Sequence, residues 1–335
     1  MQTIINDMPK AELHVHLEGT LEPDLLLALA RRNRVKLPYD SPEAVLAAYD
    51  FHDLPSFLCI YYRAMDVLRE EQDFYDLTYA YLSKARSQNV LYAELFFDPQ
   101  AHTTRGVAFA TLIRGIHRAQ SAAETLGIHS QIILCFLRDM SVESAQLTLE
   151  QSLPFRDWII GVGLDSDEKN NPPLKFAGVF EQARALGYRL TMHCDVNQDD
   201  SVQHIRDCVH GIQVNRIDHG VNALEDTQLC AAIQARGLGL TVCPVSNRFV
   251  VQSLTSSEIR EMLARGMKVT INSDDPAYFR AYLNENFIAL QQEGGFTCDE
   301  LLQLARNAFD VSWLSTAQRA GYLKQLDAYA ELALA

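Results

Sequence analysis

The sequence predicts an α/β fold, and within that class an eight-stranded (β/α)8 TIM barrel. Eight apolar, β-branched runs recur along the chain, and most are followed by a longer segment with helical periodicity. Several runs are almost continuously apolar, as expected for parallel strands covered on both faces. The length of 335 residues also suits one barrel, because α/β barrels of roughly 250 residues fold as a single unit. The alternative is an open, doubly wound sheet.

The predicted strands come first in each repeating unit. They are residues 12–17, 90–97, 130–138, 158–165, 188–194, 213–219, 237–243 and 267–274. Helix-like segments lie between most of them, at 106–126, 142–152, 173–187, 200–210, 223–236 and 256–265. This alternation favours a parallel sheet built from βα units.

The connection after the first strand, 18–89, is too long for a single βα unit. Its periodicity predicts helices over 22–32, 41–49 and 55–87, the last one bent, so we expect a helical insertion there. The tail, 285–335, predicts further C-terminal helices. No linker-like composition divides the chain, and we therefore expect one domain over residues 1–335.

Three helix starts carry capping patterns. Thr255 and Thr297 are each followed three residues later by a glutamate, which is the capping-box spacing. Ser141 is a candidate N-cap, with Glu143 in the first turn, where the helix dipole favours an acid.

Charge and composition exclude several classes of function. Lys plus Arg total 29 and Asp plus Glu total 43, which gives a net charge of −14. Such a surface repels phosphate backbones and anionic lipid, so we expect neither nucleic acid nor membrane as a partner. No apolar stretch reaches the ~18 residues of a membrane span, and the N-terminus does not resemble a signal peptide. The seven cysteines are scattered, without a CxxC motif, which favours a reducing, cytoplasmic location.

Polar residues that could carry chemistry fall at the ends of the predicted strands, where barrel enzymes build their active sites. His14 and His16 end the first strand, and their i, i+2 spacing turns both rings to one face. Two histidines that face a packed interior need a partner, and a divalent metal is the simplest one. The alternative for an isolated HxH is a solvent-facing pair, but the apolar neighbours Leu13, Val15 and Leu17 favour burial.

The fifth, sixth and eighth strands end on further candidates. Asp274 and Asp275 follow a run that should be buried, where a carboxylate is costly unless it is paired or bound to metal. One of them could instead cap the helix that Pro276 would start. Together with His14, His16 and His193, one such aspartate completes a zinc ligand set of three histidines and a carboxylate, with a position open for water. His219 could position that water, or could simply bond a loop carbonyl.

Seven segments together resemble the adenosine/adenine deaminase family of the amidohydrolase superfamily. They are PKAELHVHLEGTLEP (9–23), the His193 strand end, RIDHG (216–220), LTVCPVSN (240–247) and VTINSDDPAYF (269–279), with FFDPQAHTTRGV (96–107) and GVGLDSDEKNNPP (161–173) closer to the adenine branch. The resemblance implies a (β/α)8 barrel holding one zinc on His14, His16, His193 and Asp274. It also implies hydrolytic attack at C6 of a 6-aminopurine, with His219 and Asp274 in catalysis and Asp275 bonded to the purine ring.

The resemblance carries two further expectations about substrate binding. Nucleoside-type members have Asp directly after HxHL, whereas this chain has Glu18, whose longer side chain would fill the ribose space and favour a free base. The loop backbone at Ser166 would meet purine N3, although a turn or helix cap explains that residue equally well.

One position departs from the family pattern. The family reads His-Ala-Gly-Glu at the fifth strand end, and the glutamate protonates N1, but here that position is Val196. Asp195 could supply the proton instead, or Asp199 or Asp200 could reach in. Alternatively the substrate differs, because Val196 would suit the apolar tail of an N6-substituted, cytokinin-like adenine.

Other readings stay open at this stage. They are adenosine deamination, action on another ring, and a non-catalytic purine-binding barrel, which the intact metal set argues against. The ligand set tolerates iron as well as zinc.

Overall fold

The computed structural model describes residues 2–51 and 53–333; the last two residues of the predicted C-terminal helical region, 334 and 335, lie outside this part. All eight predicted strand regions contain strand, and the fifth is divided in two. The strands are β1 (Lys10–His16), β2 (Val90–Phe97), β3 (His129–Leu137), β4 (Ile159–Asp165), β5 (Arg189–Leu190), β6 (His193–Cys194), β7 (Arg216–His219), β8 (Gly239–Val242) and β9 (Lys268–Ile271).

The strands are parallel throughout and follow chain order. β1 to β5 form one sheet and β6 to β9 another. The divided fifth segment joins them, since Thr191 N donates to Val162 O on one side and Asp218 N donates to Met192 O on the other. A parallel bridge between Val15 and Asp274 links the last strand region back to β1. The structure thus has the α/β barrel order that the sequence predicts, and not that of an open doubly wound sheet.

Helices alternate with the strands, and the described residues form seventeen α-helices. They are α1 (Gln2–Asp7), α2 (Pro23–Arg32), α3 (Pro42–Ala47), α4 (Leu54–Ala64), α5 (Glu71–Ser87), α6 (Pro99–Thr103), α7 (Phe109–Ala123), α8 (Val142–Ser152), α9 (Ala177–Ala185), α10 (Ser201–Arg206), α11 (Thr227–Arg236), α12 (Pro244–Val251), α13 (Ser256–Ala264), α14 (Pro276–Phe279), α15 (Leu283–Gln292), α16 (Cys298–Val311) and α17 (Thr316–Ala333). Shorter 3-10 turns and one π-helical segment, Asp207–Ile212, extend several of them. None of these helices is both long and apolar enough to cross a membrane.

The helical insertion and the C-terminal helices are both present. Between β1 and β2 lie α2, α3, α4 and α5, and the bend predicted within 55–87 is a 3-10 turn at Met65–Val67 followed by a break. After β9 the chain forms α14 to α17. The sequence did not predict α1, α6 or α12, which are short helices of eight residues or fewer.

Two of the three capping predictions are confirmed. Ser141 accepts a hydrogen bond from Ser144 N at 3.2 Å, and Thr297 forms a reciprocal capping box with Glu300. The prediction for Thr255 is wrong. Its φ of 52° turns the hydroxyl away from the helix, where it donates to Leu254 O and accepts from Asn247 Nδ2.

Candidate active site

A cavity of about 750 Å³, counting the solvent at its mouth, opens at the carboxyl ends of the strands. Its inner wall is polar and its outer wall is apolar and aromatic. The inner wall consists of His16, Asp98, Asp165, Ser166, Glu168, His193, Asp195, His219, Ser246, Asp274 and Asp275. The outer wall consists of Phe51, Leu54, Phe57, Leu58, Tyr61, Tyr62, Phe249, Val250 and Phe279, with Asp53 at its edge.

Four side chains converge on one point of the inner wall. His14, His16, His193 and Asp274 each offer a ligand atom, and these atoms lie within 4.8 Å of one another. His14 Nε2 is 3.0 Å from Asp274 Oδ1 and 3.1 Å from His193 Nε2, which is in turn 3.1 Å from His16 Nε2. All four residues are buried. The chain therefore brings together, from three different strand ends, the donor types and number of a tetrahedral metal site.

The other ring nitrogen of each histidine faces an acceptor. His14 Nδ1 is 3.0 Å from Thr241 Oγ1, whose hydroxyl donates onward to Asp218 Oδ1. His193 Nδ1 is 3.1 Å from Leu164 O, and His16 Nδ1 is 3.5 Å from Asp165 Oδ2. A proton held on Nδ1 by such acceptors leaves Nε2 as the ligand atom, which is how metal-binding histidines are normally oriented.

The charge states suit ligation for most of the cluster. Burial alone would raise the pKa of Asp274, but the facing His14 and His16 outweigh it and hold that pKa well below its usual range. Burial, aided by the neighbouring histidines, lowers the pKa of His193 well below its usual value. Burial would also lower the pKa of His16, but Asp275, Asp274 and Asp165 raise it to about 10. His16 must therefore give up a proton when a cation binds.

Three strand-end residues of the cavity have left-handed backbone conformations without being glycine. The φ angles are 72° at Ser166, 59° at His219 and 64° at Asp274. This region is unfavourable for residues other than glycine, and such strain concentrates at functional sites. The conformation turns the side chain at each strand end toward the cavity that all three residues line.

Asp275 stands at the N-cap position of α14, with Pro276 at N1, but its side chain makes no capping bond. Its Oδ1 is buried without a hydrogen-bond partner. A Cβ on Gly19 would lie 2.0 Å from that oxygen, so only glycine leaves the carboxyl room. The sequence left open whether Asp275 caps α14 or serves the cavity. The structure excludes capping, so the carboxyl group faces the cavity.

The adenosine deaminase family model matches residues 9–329. The chain belongs to the adenosine deaminase family. It is 51% identical to a deaminase of Schizosaccharomyces pombe over 98% of both chains, and 48% identical to an adenine deaminase of Geotalea uraniireducens over 97% of this chain and 92% of that one. Among solved structures it resembles an adenine deaminase from Arthrobacter aurescens, with 42% identity and a TM-score of 0.93 over 97% and 99% of the two chains. It also resembles an amidohydrolase from Burkholderia ambifaria with bound Zn, with 26% identity and a TM-score of 0.90 over 99% and 94%.

The family glutamate position at the fifth strand end does not line the cavity. Val196 is half-buried, packs against the core and is not among the cavity-lining residues of the described chain. Asp195 does line the cavity, and burial raises the pKa of its carboxyl. Asp199 and Asp200 are exposed and do not reach in. Among the described acids of this segment, only Asp195 faces the space where a deaminase substrate would bind.

Glu168, which sequence reasoning missed, holds the same segment in place. Its Oε1 accepts from Asp195 N at 2.7 Å, and its Oε2 accepts from His204 Nδ1 at 3.0 Å. Arg138 lies 3.3 Å from Glu168 and donates to His193 O at 2.9 Å. Burial would raise the pKa of Glu168, but Arg138 and His204 lower it, so Glu168 is a fixed anion. In the sequence, only its position three residues beyond a predicted strand end indicated that Glu168 could lie near the active site.

Glu18 lies behind the cavity wall. Its Oε1 accepts from His102 Nε2 at 2.9 Å and from Asp98 N at 3.2 Å. Glu18 is not among the described residues that line the cavity. Asp98 lines the cavity in its place, although no sequence pattern indicated a role for it. Ser166 lies on the wall as expected and accepts a hydrogen bond from Tyr62 Oη at 2.8 Å.

Proposed function

We propose that the protein catalyses hydrolytic deamination at C6 of a 6-aminopurine, with a free base as substrate and ammonia or an amine as product. The observation that carries this proposal is the cluster of His14, His16, His193 and Asp274 inside a cavity with unpaired carboxylates. Membership of the adenosine deaminase family, and the similarity to two adenine deaminases, supports this chemistry and this ring.

We infer that the resident cofactor is one zinc ion, held by His14, His16, His193 and Asp274. The donor set fits: the three Nε2 atoms and the ionised Asp274 converge, and each Nδ1 has an acceptor. Zinc bound to such ligands acts as a Lewis acid and brings the pKa of water near 7. The bound Zn of the Burkholderia amidohydrolase supports zinc. Iron is the alternative, and metal analysis of the purified protein distinguishes the two.

His219 is the proposed base for the attacking water. Its ring centre is 4.7 Å from that of His14 and 5.4 Å from that of His193. Its Nδ1 is buried without a hydrogen-bond partner, and the residue lines the cavity. An imidazole with a free ring nitrogen beside the ligand cluster can hold the water and accept its proton. The adjacent carboxylate of Asp274 would stabilise the resulting imidazolium.

Asp195 is the proposed acid for N1 of the purine. It faces the cavity, and its raised pKa lets it carry a proton at higher pH than an exposed aspartate. Glu168 holds Asp195 N, and so restricts where the carboxyl can lie. Asp275 is the proposed ring contact, at N7: burial raises the pKa of its carboxyl well above its usual value, so the protonated group would donate to N7. The backbone at Ser166 is the proposed contact of N3.

The apolar outer wall favours an N6-substituted adenine as a second substrate. Around the cavity mouth, five of the six pairs formed by Phe51, Phe57, Phe249 and Phe279 have ring centres within 6 Å of each other. An alkyl group on N6 would be buried against these rings and would leave as an amine.

A substrate panel tests the proposal. We would measure ammonia or amine release from adenine, N6-methyladenine, N6-isopentenyladenine and adenosine, with the metal content determined on the same samples. We expect activity on the free bases, with the isopentenyl compound at least equal to adenine if the outer wall binds the substituent. A large preference for adenosine would contradict the choice of a free base. Purine binding without release of any amine would indicate a non-catalytic barrel.

The acidic surface and the seven free cysteines fit a reducing compartment, and we propose a cytoplasmic location.

A further inference from the structure

Asp98 carries a buried carboxyl group that the protein satisfies only in part. The residue is 2% exposed and its Oδ1 has no hydrogen-bond partner, although it lines the cavity. It stands at the N-cap position of α6, with Pro99 at N1, yet its side chain does not cap that helix. A buried carboxylate without donors is costly, so one that persists at a cavity wall indicates a donor on the ligand.

The corner around Asp98 is rich in acceptors. Both carboxylate oxygens of Asp165 are buried without hydrogen-bond partners, and ligand atoms of Asp98, Asp165 and His16 lie within 4.8 Å of one another. His16 presents Nε2 to the metal-ligand cluster and Nδ1 to Asp165. The acidic corner is therefore separated from the cluster by the width of an imidazole ring.

The backbone of Asp98 is fixed from behind. Asp98 N donates to Glu18 Oε1, and the same oxygen accepts from His102 Nε2. Both Glu18 and His102 are buried. Glu18 therefore influences the cavity through Asp98, not by entering the substrate space itself.

We propose that Asp98 accepts a hydrogen bond from a ring N–H of the purine's five-membered ring, and that this bond makes the enzyme select a free base over a nucleoside. The inference rests on the proposed function, because attack on the ring face at C6 places C6 beside the metal-ligand cluster. N6 and N9 lie at opposite ends of the purine, so N9 can face Asp98 while an N6 substituent faces the outer wall. Free adenine carries one N–H on that ring. A nucleoside has carbon on N9, cannot donate there, and would leave Asp98 unpaired beside its sugar.

The expected selectivity is large. A site built to bind a ring N–H rejects an analogue that lacks it by roughly 10⁴–10⁵, because the buried acceptor then stays unsatisfied. Selection against an added methylene in an apolar pocket amounts to only about 10–200-fold. If Asp98 bonds the ring N–H, replacing that hydrogen should lower kcat/KM by the larger factor. If the barrier to nucleosides is only steric, it should lower kcat/KM by the smaller one.

The test compares adenine with 9-methyladenine, which has a methyl group in place of the N9 hydrogen. We would measure kcat and KM for wild type, Asp98→Ala and Asp98→Asn, with Asp139→Ala as the matched control. Asp139 also follows a strand end, but it is exposed and is not among the cavity-lining residues of the described chain. Zinc content is measured for every variant, and circular dichroism checks that each one folds.

We expect Asp98→Ala to lower kcat/KM for adenine by roughly 100-fold, mostly through KM, and to raise kcat/KM for 9-methyladenine by a similar factor, since the unsatisfied acceptor is gone and most of the selectivity is lost. Asp98→Asn, which conserves shape, should give a smaller loss of the same kind, and Asp139→Ala should change neither substrate. An equal loss on both substrates would mean a structural role and would overturn the inference. So would a second metal equivalent that disappears in Asp98→Ala, since the corner would then be a cation site. Failure of wild type to release ammonia from any purine would instead refute the proposed function.

Discussion

The buried carboxylates of Glu12 and Glu94, in the lower part of the barrel, have donors within the protein, whereas Asp98, Asp165 and Asp275, at the carboxyl ends of the strands, have oxygen atoms without one. Glu94 accepts from Arg216, from Tyr92 Oη at 2.9 Å and from Trp313 N at 2.6 Å. Glu12 accepts from Tyr81 Oη at 2.6 Å and from Ser273 N at 3.0 Å. These bonds connect strands and helices across the core, and their role is to hold the structure together.

The cavity end gives the opposite picture. Oxygen atoms of Asp98, Asp165 and Asp275 and the Nδ1 of His219 are buried without hydrogen-bond partners. Each of these buried atoms without a partner lowers the stability of the fold, so their retention at the cavity needs an explanation other than stability. The difference indicates that a ligand completes the upper end, and the following predictions test this.

The largest effect should come from losing the metal ligands. We expect His193→Ala to lower kcat at least about a thousandfold and to abolish stoichiometric zinc, since a Lewis acid contributes several kcal/mol to catalysis. Removal of metal by a chelator should do the same to wild type, with recovery on adding zinc. The matched control is His129→Ala at the exposed start of β3, which should change neither activity nor zinc content. Full activity in His193→Ala would remove this residue from the site.

The proton donor gives the next largest effect on activity. We expect Asp195→Asn to lower kcat by about 10²–10⁴-fold, the range for loss of a general acid. Zinc content should stay at the wild-type level, because Asp195 is not in the ligand cluster. An unchanged kcat would exclude Asp195 as the acid and would turn attention to a substrate that needs none.

Substitutions in the lower part of the barrel should change the stability of the protein and not its catalytic activity. We expect Glu94→Ala to lower the free energy of unfolding by about 3–5 kcal/mol, because it removes the nearest carboxylate from the buried Arg216, which keeps only Asp218 at 3.7 Å. Urea unfolding measures this, and KM for adenine should stay within about twofold. A double variant, Glu94→Leu with Arg216→Met, should be less destabilised than the single one. A large change in KM would show that the pair serves the site after all.

The sequence predicted the strand regions and the four residues of the candidate metal cluster because both leave strong local patterns. HVH at a strand end fixes two rings on one face, and a buried run that ends in Asp274 fixes a third ligand type. It could not reveal Asp98, Glu168 or Asp165, because each is a single acid whose role depends on which other strand end lies beside it. The error at Thr255 has the same origin: the capping spacing is local, but its φ of 52° comes from the loop packed before α13.

The placement of Glu18 and Val196 failed for a related reason. A position in a motif does not state which side chain is nearest to the cavity. Glu18 is held by His102, 84 residues away, and Asp98 occupies the wall in front of it. Val196 lies in the turn after β6 and packs toward the core. Both outcomes depend on contacts between distant segments, which one sequence does not show.

One paired group should still give a dependence of stability on pH. Burial lowers the pKa of Lys10, at the start of β1, from 10.5 to about 7, although its ammonium donates to Ile5 O and Met8 O. Between pH 7 and 10.5 the unfolded chain binds more protons at this position than the folded one, so stability rises with pH there. The slope is at most about 1.4 kcal/mol per pH unit. We expect it to appear as the difference between wild type and Lys10→Met in urea unfolding; no difference would mean that the two carbonyls keep Lys10 charged.

The smallest expected effect contrasts the two ends of a single strand. Lys268, at the start of β9, is paired with Asp310 at 2.7 Å, whereas Asp275, beyond its end, has an oxygen without a partner. We expect Asp275→Ala to raise the free energy of unfolding by about 1 kcal/mol, because it removes an unsatisfied buried acid beside Asp274. Its kcat/KM for adenine should fall, since the ring contact is lost.

Asp310→Ala is the matched control, and it should change the free energy of unfolding in the opposite direction. It breaks a half-exposed ion pair, so stability should fall by up to about 1 kcal/mol while activity stays unchanged. If Asp275→Ala also destabilised the protein, Asp275 would have a structural partner, and the contrast between the two ends would fail at this strand. If it stabilised the protein without loss of activity, the unpaired oxygen would serve no ligand. Only a gain in stability together with a loss of activity agrees with a carboxylate kept for the substrate at the expense of the fold.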